Sequence, residues 1–266
     1  MDSFIRKYKM NLVIGNTSQL SRYFPDNFIK ISSRNLEDSV FEQSWERVFL
    51  CFAEQRTYMN KDNLFDKINI EYTKYIIKRL KANSIIYYST AELWNNTCGE
   101  VDIDSDFNYH LSDYVVSKSK ITNYIKENYK NVLIAYPFNF NSKYRLPPFL
   151  FGKVFDSIIN KKKIDLGDTY YYRELLHPSF VVQESMKQTE HKVIGTGRLI
   201  FINDFIRSLY NSFGMKYEDY VTEDLKNHSI YRKNIFYAKE RKTADKLELF
   251  KITLKEINDQ IANKAS

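Results

Sequence analysis

Asn11-Leu12-Val13-Ile14-Gly15-Asn16-Thr17-Ser18-Gln19-Leu20 is the stretch that decides how this 266-residue chain reads. A short apolar run ends at a glycine, the pattern of a buried parallel strand that breaks at its carboxyl end. Small polar residues follow and open a short helix that must end before Pro25. Strand, tight turn and helix N-terminus form a receptacle for a pyrophosphate, because backbone N–H groups and the helix dipole face the anion. Gly15 holds the first position of the glycine-rich fingerprint, while Ser18 and Ser21 stand where two further glycines are expected. Small serines still let a backbone approach, though less closely. A plain strand-turn-helix fits the same residues, so the segments on either side must decide.

Phe28-Ile29-Lys30-Ile31 reads as the second strand, followed by Ser32-Ser33-Arg34-Asn35. A site for NAD normally offers a carboxylate here to the ribose 2′-hydroxyl, whereas an arginine suits a 2′-phosphate. No carboxylate comes before Glu37, so Ser32, Ser33 and Arg34 tilt the cofactor to NADP, with NAD as second candidate. A polar loop with an incidental arginine is the plain alternative. Arg47-Val48-Phe49-Leu50-Cys51-Phe52-Ala53 is the next buried strand, and it arrives early. The helix, third strand and second helix that would ordinarily intervene have about half the usual length available, so the adenine side is truncated or its strand is missing.

Leu64, Phe65, Ile68, Tyr72, Ile76 and Leu80 mark one face of a long helix that carries Asn69. Ser84-Ile85-Ile86-Tyr87-Tyr88 is another apolar strand, leaving through Ser89-Thr90-Ala91-Glu92-Leu93-Trp94. In Asp113-Tyr114-Val115-Val116-Ser117-Lys118, Tyr114 and Lys118 lie four apart in a segment of helical periodicity, so both face one way about a turn apart. An ammonium beside a phenol favours the phenolate and lowers its pKa toward the range of a general acid/base. With 21 tyrosines in the chain, a surface tyrosine next to a surface lysine gives the same spacing, and only the neighbouring motifs separate the two readings.

Composition narrows the classes. Hydrophobic residues make up 43% and aromatics 16%, enough for a sizeable core, and Gly 7 with Pro 5 argues against a linker-rich or disordered chain. The length suits one large domain or a main domain with a small appendage. No apolar run approaches the roughly 20 residues of a membrane span, and no signal-peptide pattern opens the sequence. Two cysteines, Cys51 and Cys98, make no disulfide framework, which fits a cytoplasmic protein. The net charge of +7 is spread along the chain, with only Lys161-Lys162-Lys163 clustered, so a solvated lysine-rich surface is expected rather than a nucleic-acid partner. His110, His191 and His228 have neither mutual spacing nor cysteine partners, so no metal site is indicated.

Taken in order, Gly15 after the first strand, Asn69 in the following helix, Ser89-Thr90 at a strand end and Tyr114-x-x-x-Lys118 resemble the extended short-chain dehydrogenase/reductases that modify nucleotide sugars. The resemblance runs from about residue 11 to about residue 225. Asn131-Val132-Leu133-Ile134-Ala135-Tyr136-Pro137-Phe138-Asn139 is similar to the family's sixth strand and its polar exit. Leu166-Gly167 followed by Arg173-Glu174-Leu175-Leu176-His177 is similar to its substrate motif, and Gly195-Thr196-Gly197 to its Gly-x-Gly ahead of a late helix.

The resemblance implies an α/β, Rossmann-like doubly wound parallel sheet with a small C-terminal substrate-binding lobe. The dinucleotide-binding core is expected over 1–140, with later segments able to return to it, and the lobe and a terminal helix over 141–266. Tyr114 is then the catalytic acid, Lys118 lowers its pKa and holds the nicotinamide ribose, and Thr90 binds the reacting oxygen. Gly15, Thr17, Ser18, Gln19, Leu20, Ser32, Ser33, Arg34, Ala53, Asn69, Ser89, Tyr114, Lys118 and Pro137 contact the cofactor. Asn139 and Arg173 take the diphosphate of a nucleotide-diphosphate sugar, whereas His177 reads as a structural hydrogen-bonder.

Reduction of a nucleotide-linked 4-keto sugar is the preferred reaction, in polysaccharide biosynthesis. A 4,6-dehydratase or an epimerase that recycles its cofactor is the alternative, with Glu92 removing a C5 proton in the former; a catalytically degenerate nucleotide-binding relative is a further one. The stripe Leu247, Phe250, Leu254, Ile257, Ile261 suits a terminal helix packed on the body, or else a helix of a homodimer.

Overall fold

Among residues 10–56, 63–224, 234–240 and 246–265, which the computed structural model describes, the apolar runs of the sequence become the strands of one sheet. Residues 1–9 and His228 lie outside the described residues. The chain divides into two units. The first is formed by residues up to Thr90, Leu111–Tyr136 and Ser185–Lys192, and the second by Ala91–His110, Pro137–Glu184 and the residues from Val193 onward. The chain thus leaves the first unit after Thr90 and returns to it twice.

The six-stranded sheet has the order 192–194, 132–137, 81–88, 44–50, 11–14, 29–31. Strand Asn11–Ile14 is flanked on both sides by parallel partners, with Leu12 opposite Ile29 on one side and Val48 on the other. Ser44–Leu50 pairs parallel with Lys81–Tyr88, which pairs parallel with Val132–Pro137. The chain therefore runs first to one side of the opening strand and then to the other, and the crevice at such a reversal is where doubly wound sheets bind ligands. Leu12, Val13, Ile14, Val48, Ile86, Val132 and Ile134 are all fully buried, as expected of strands covered on both faces.

The adenine side is short because a strand is missing. Only the five-residue helix Asp38–Glu42 lies between strand Ile29–Ile31 and strand Ser44–Leu50, which leaves Ile29–Ile31 as the sheet edge. Two expectations need correction. The helix after Gly15 is a single 3-10 turn, Leu20–Tyr23, too short to present a helix dipole. The long helix over 64–80 is not α throughout: Asp66–Tyr72 is a π-helix that passes into the α-helix Thr73–Arg79. Within it the consecutive residues Asn69 and Ile70 are both buried.

Among the described residues the second unit holds four short strand pairs. Asn139–Phe140 pairs with Leu175–Leu176, Tyr172–Arg173 with Ile200–Phe201, Ile164–Gly167 with Val221–Asp224, and Gly99–Val101 with Phe236–Ala238. Its core lies between the helices Leu150–Asn160, Ile202–Ser212 and Lys246–Ala265, where Val154, Ile158, Ile206, Leu209, Tyr210 and Ile257 are fully buried. Phe250 and Leu254 of the terminal stripe pack on this core, so that helix is part of the body, while Ile261 is exposed.

Candidate active site

At the end of the first strand, Gly15 has φ +106°, and a Cβ there would lie 2.9 Å from the carbonyl carbon of Cys51. Only glycine allows the turn to run this close to the neighbouring strand. The Gly15 and Asn16 amides both donate to the Ile31 carbonyl, at 2.9 and 3.0 Å. The two serines standing in for glycines close the loop on itself: Ser21 N donates to Ser18 Oγ at 3.2 Å, and Ser21 Oγ donates to the Ser18 carbonyl at 2.7 Å. Ser18 also hydrogen bonds the buried Cys51 thiol, whose pKa burial raises. Thr17 is exposed, Gln19 half-buried and Leu20 buried.

Beyond the second strand, Ser32 Oγ accepts the Arg34 amide at 3.2 Å, and the Tyr72 phenol donates to the Ser33 carbonyl. Arg34 is exposed, and among the described residues its guanidinium has no ion pair. Tyr72 stacks on Tyr75 with ring centroids 6.1 Å apart and meets Phe52 edge-on at 5.7 Å. Tyrosines of the π-helical segment and its α continuation therefore stand beside the loop where the sheet has lost its strand. Nothing in the apolar periodicity marked Tyr72 for this role.

Asn69 joins two parts of the first unit. Its Oδ1 accepts Glu54 N at 2.8 Å, and its Nδ2 donates to the Glu54 carbonyl at 3.1 Å and to Ser117 Oγ at 3.0 Å. Both amide protons are thus used inside the protein, so Asn69 contributes placement of the 53–54 loop and of the next helix rather than a free donor. Glu54, buried itself, receives Arg56 Nε at 2.9 Å and Nη2 at 2.6 Å, and these bonds hold its carboxyl below the usual range.

Ser112 caps the helix Asp113–Asn128 by accepting Val115 N at 3.3 Å. Tyr114 lies in its first turn, half-buried, with Phe65 edge-on at 6.3 Å. Lys118, one turn on, is only 2% exposed. Its Nζ donates to the Tyr88 carbonyl at 2.7 Å and to the Tyr87 hydroxyl at 3.1 Å, which fixes the helix against the carboxyl end of strand Lys81–Tyr88. Burial lowers the Lys118 pKa to about 7. Among the described residues no carboxylate pairs with it, and a buried amine without a counter-ion suits an anionic, hydroxyl-rich ligand such as a nucleotide. Ser89 Oγ lies 2.7 Å from Thr122 Oγ1 of the same helix, so its hydroxyl serves the packing, and Thr90 is buried at the strand exit.

In the second unit, Glu92 belongs to the 3-10 turn Ala91–Trp94, and its Oε2 accepts Asn95 Nδ2 at 3.2 Å. Pro137 ends its strand buried, and Asn139 is exposed at the start of the next short one. Arg173 is buried. Its Nη1 donates to the carbonyls of Tyr172 and Asn234, both at 2.9 Å, and its guanidinium lies over the rings of Tyr171 and Phe236.

Glu174, which sequence reading left without a role, is fully buried and accepts Thr196 N at 2.6 Å and the Ala238 amide. Gly195 is the signal that could have found it, because a Cβ there would come 2.7 Å from Glu174 Oε2. Desolvation raises the Glu174 pKa and the backbone donors oppose it. His177 has Nδ1 2.7 Å from Ser179 Oγ and Nε2 3.3 Å from the Glu256 carboxylate, a structural setting. Among the described residues no group of three or more His, Cys, Asp or Glu could hold a metal, and no helix is long and apolar enough to cross a membrane.

No protein-family model and no curated protein matches the chain. Solved structures match it in fold over nearly its whole length. MoeE5 in complex with UDP-glucose and NAD superposes with a TM-score of 0.76 at 15% identity, covering 97% of this chain and 100% of its own. RMD from Pseudomonas aeruginosa complexed with NADPH gives 0.76 at 14% identity, covering 96% and 99%. UDP-glucose 4-epimerase from Thermotoga maritima with UDP-glucose gives 0.77 at 15% identity, covering 95% and 100%. The chain has the α/β fold of the extended short-chain dehydrogenase/reductases, among them nucleotide-sugar epimerases, dehydratases and reductases.

Proposed function

We propose that this chain is an NADP-dependent oxidoreductase of a nucleotide-linked sugar, and that it reduces a 4-keto sugar with Tyr114 as general acid. The observation that carries the reading is the pair Tyr114 and Lys118 on one helix face, with the Lys118 amine buried at the strand end and paired with no carboxylate among the described residues. A nicotinamide cofactor bound at this end of the sheet supplies the hydride. Around it, the Gly15–Leu20 loop takes the pyrophosphate, Ser32, Ser33 and Arg34 the 2′-phosphate, and Lys118 the nicotinamide ribose. Ala53 and Ser89 would contact the cofactor, and Pro137 its nicotinamide. Thr90 hydrogen bonds the reacting oxygen, and Tyr114 gives it a proton. Asn139 and Arg173 hold the sugar nucleotide's diphosphate, where a guanidinium fork has an advantage over an ammonium.

Glu92 supports a second reading, because Asn95 holds its carboxylate in place just past Thr90 in the sequence. In a 4,6-dehydratase that carboxylate would accept the C5 proton while the cofactor is recycled, and an epimerase would need only Thr90, Tyr114 and Lys118. Incubation with NADPH and nucleotide-linked 4-keto sugars separates them. The reductase oxidises one NADPH per sugar, and Glu92→Gln stays within several-fold of the native rate. Loss of water with no net NADPH oxidation, together with a 10²–10⁴-fold fall in Glu92→Gln, would establish the dehydratase instead.

A further inference from the structure

Tyr87 is fully buried, and phenylalanine would fill its volume equally well, so its hydroxyl needs an explanation. A buried phenol costs free energy unless it is hydrogen bonded. Among the described residues the only hydrogen-bond partner of this one is Lys118 Nζ, at 3.1 Å, with the same nitrogen 4.7 Å from the ring centroid. We propose that Tyr87 is the positioning residue of Lys118: its hydroxyl fixes where the amine points and serves that amine in both protonation states. The inference rests on the proposed function only for its catalytic consequence.

The chemistry follows from what each group can donate. A protonated Lys118 gives one N–H to the Tyr88 carbonyl and one to the Tyr87 oxygen, which leaves a third for a ligand. A neutral amine has two N–H groups and a lone pair, and the Tyr87 hydroxyl can then turn round and donate to it. No carbonyl or carboxylate could serve both forms in this way. Burial pushes the Tyr87 phenol well above its ordinary pKa, so it stays protonated and never becomes a counter-ion. With Lys118 itself near 7, both arrangements are populated at neutral pH.

The titratable groups that act on the Tyr87 phenol are tyrosines, Tyr114 on the lysine's own helix and Tyr136 on the adjacent strand, and Lys126 lies 5.8 Å over the Tyr136 ring. Asn69, with both amide protons committed to Glu54 and Ser117, is not positioned to do the same task.

The test uses the full chain without ligand: native protein, Tyr87→Phe, Lys118→Met and the double variant, each unfolded by denaturant between pH 5 and 10. The stability difference between a Lys118 protein and its Lys118→Met counterpart should begin to change near pH 7 in the native background. In the Tyr87→Phe background the same bend should fall by up to about one pH unit, because the charge-assisted bond lost by the ammonium outweighs the bond lost by the neutral amine. Should Tyr87→Phe alone fail to fold, the double variant should fold, since removing the amine removes the need for the hydroxyl.

An unshifted bend, or a double variant no better folded than Tyr87→Phe, would overturn the proposal. In a variant that oxidises NADPH, the alkaline limb of kcat/KM should move down by the same amount, and an unmoved limb would also overturn it. Failure to bind NADPH at all would instead count against the proposed function and would leave these stability curves unchanged.

Discussion

Asn69 donates a 3.0 Å hydrogen bond to the Ser117 hydroxyl, which in turn donates to the Tyr114 carbonyl at 2.7 Å. The same amide holds both backbone groups of Glu54, so one side chain ties the loop after strand Ser44–Leu50 to the first turns of the Tyr114 helix. Asn69→Ala should leave the Glu54 N–H and carbonyl without partners and lower stability by about 2–4 kcal/mol. Denaturant unfolding measures this, and a loss of only a few tenths of a kcal/mol would show that water replaces the amide at little cost.

The proposed preference for NADP rests on Arg34. If Ser33 and Arg34 hold a 2′-phosphate, NADPH should bind more tightly than NADH, and Arg34→Ala should remove most of the difference. A charge-assisted contact of this kind is worth about 1.5–3 kcal/mol, or roughly ten- to a hundred-fold in affinity. Titration calorimetry with both dinucleotides measures it, and equal affinities in the unmutated protein would count against the assignment.

The sheet was open to sequence reading because its strands are covered on both faces and therefore appear as unbroken apolar runs, as at Leu12–Ile14 and Ile85–Tyr88. The shortened adenine half was legible too, since the interval between Ile31 and Arg47 has about half the length that a helix, a strand and a second helix need; that the strand itself is absent came only from the fold. The π-helix was not, because over seven residues an apolar stripe fits a π period about as well as an α period. Nor was the reach of Asn69 to Ser117, 48 positions away in the chain. Glu174 escaped notice because its partners are backbone amides, which carry no side-chain signature. Tyr114 and Lys118 were legible as a pair, but the depth at which Lys118 lies came only from the fold.

Burial at Lys118 predicts a pH dependence of stability. The folded-state pKa falls from the ordinary 10.5 to about 7, so between these values the unfolded chain binds more protons than the folded one. Stability should therefore rise with pH across that window. Below about pH 7 both states are protonated and the burial penalty is complete; above about 10.5 both are neutral and it is gone. Lys118→Met should flatten this slope, so that the variant's stability relative to the native protein is greatest near pH 6 and declines by about 3–5 kcal/mol toward pH 10. Parallel stability curves for the two proteins would contradict a buried, deprotonation-prone Lys118.

Tyr114 is the residue on which the proposed chemistry depends, and Tyr114→Phe removes only its hydroxyl. Fold and NADPH affinity should survive, because the ring keeps its contact with Phe65 and the helix keeps its Ser112 cap. Single-turnover oxidation of bound NADPH by a nucleotide-linked keto sugar reads hydride transfer, which slows when the sugar oxygen loses its proton donor. A fall of 10²–10⁴-fold, with NADPH still bound, is the result expected when a general acid is lost. A folded Tyr114→Phe protein that oxidises NADPH at the native rate would contradict the account.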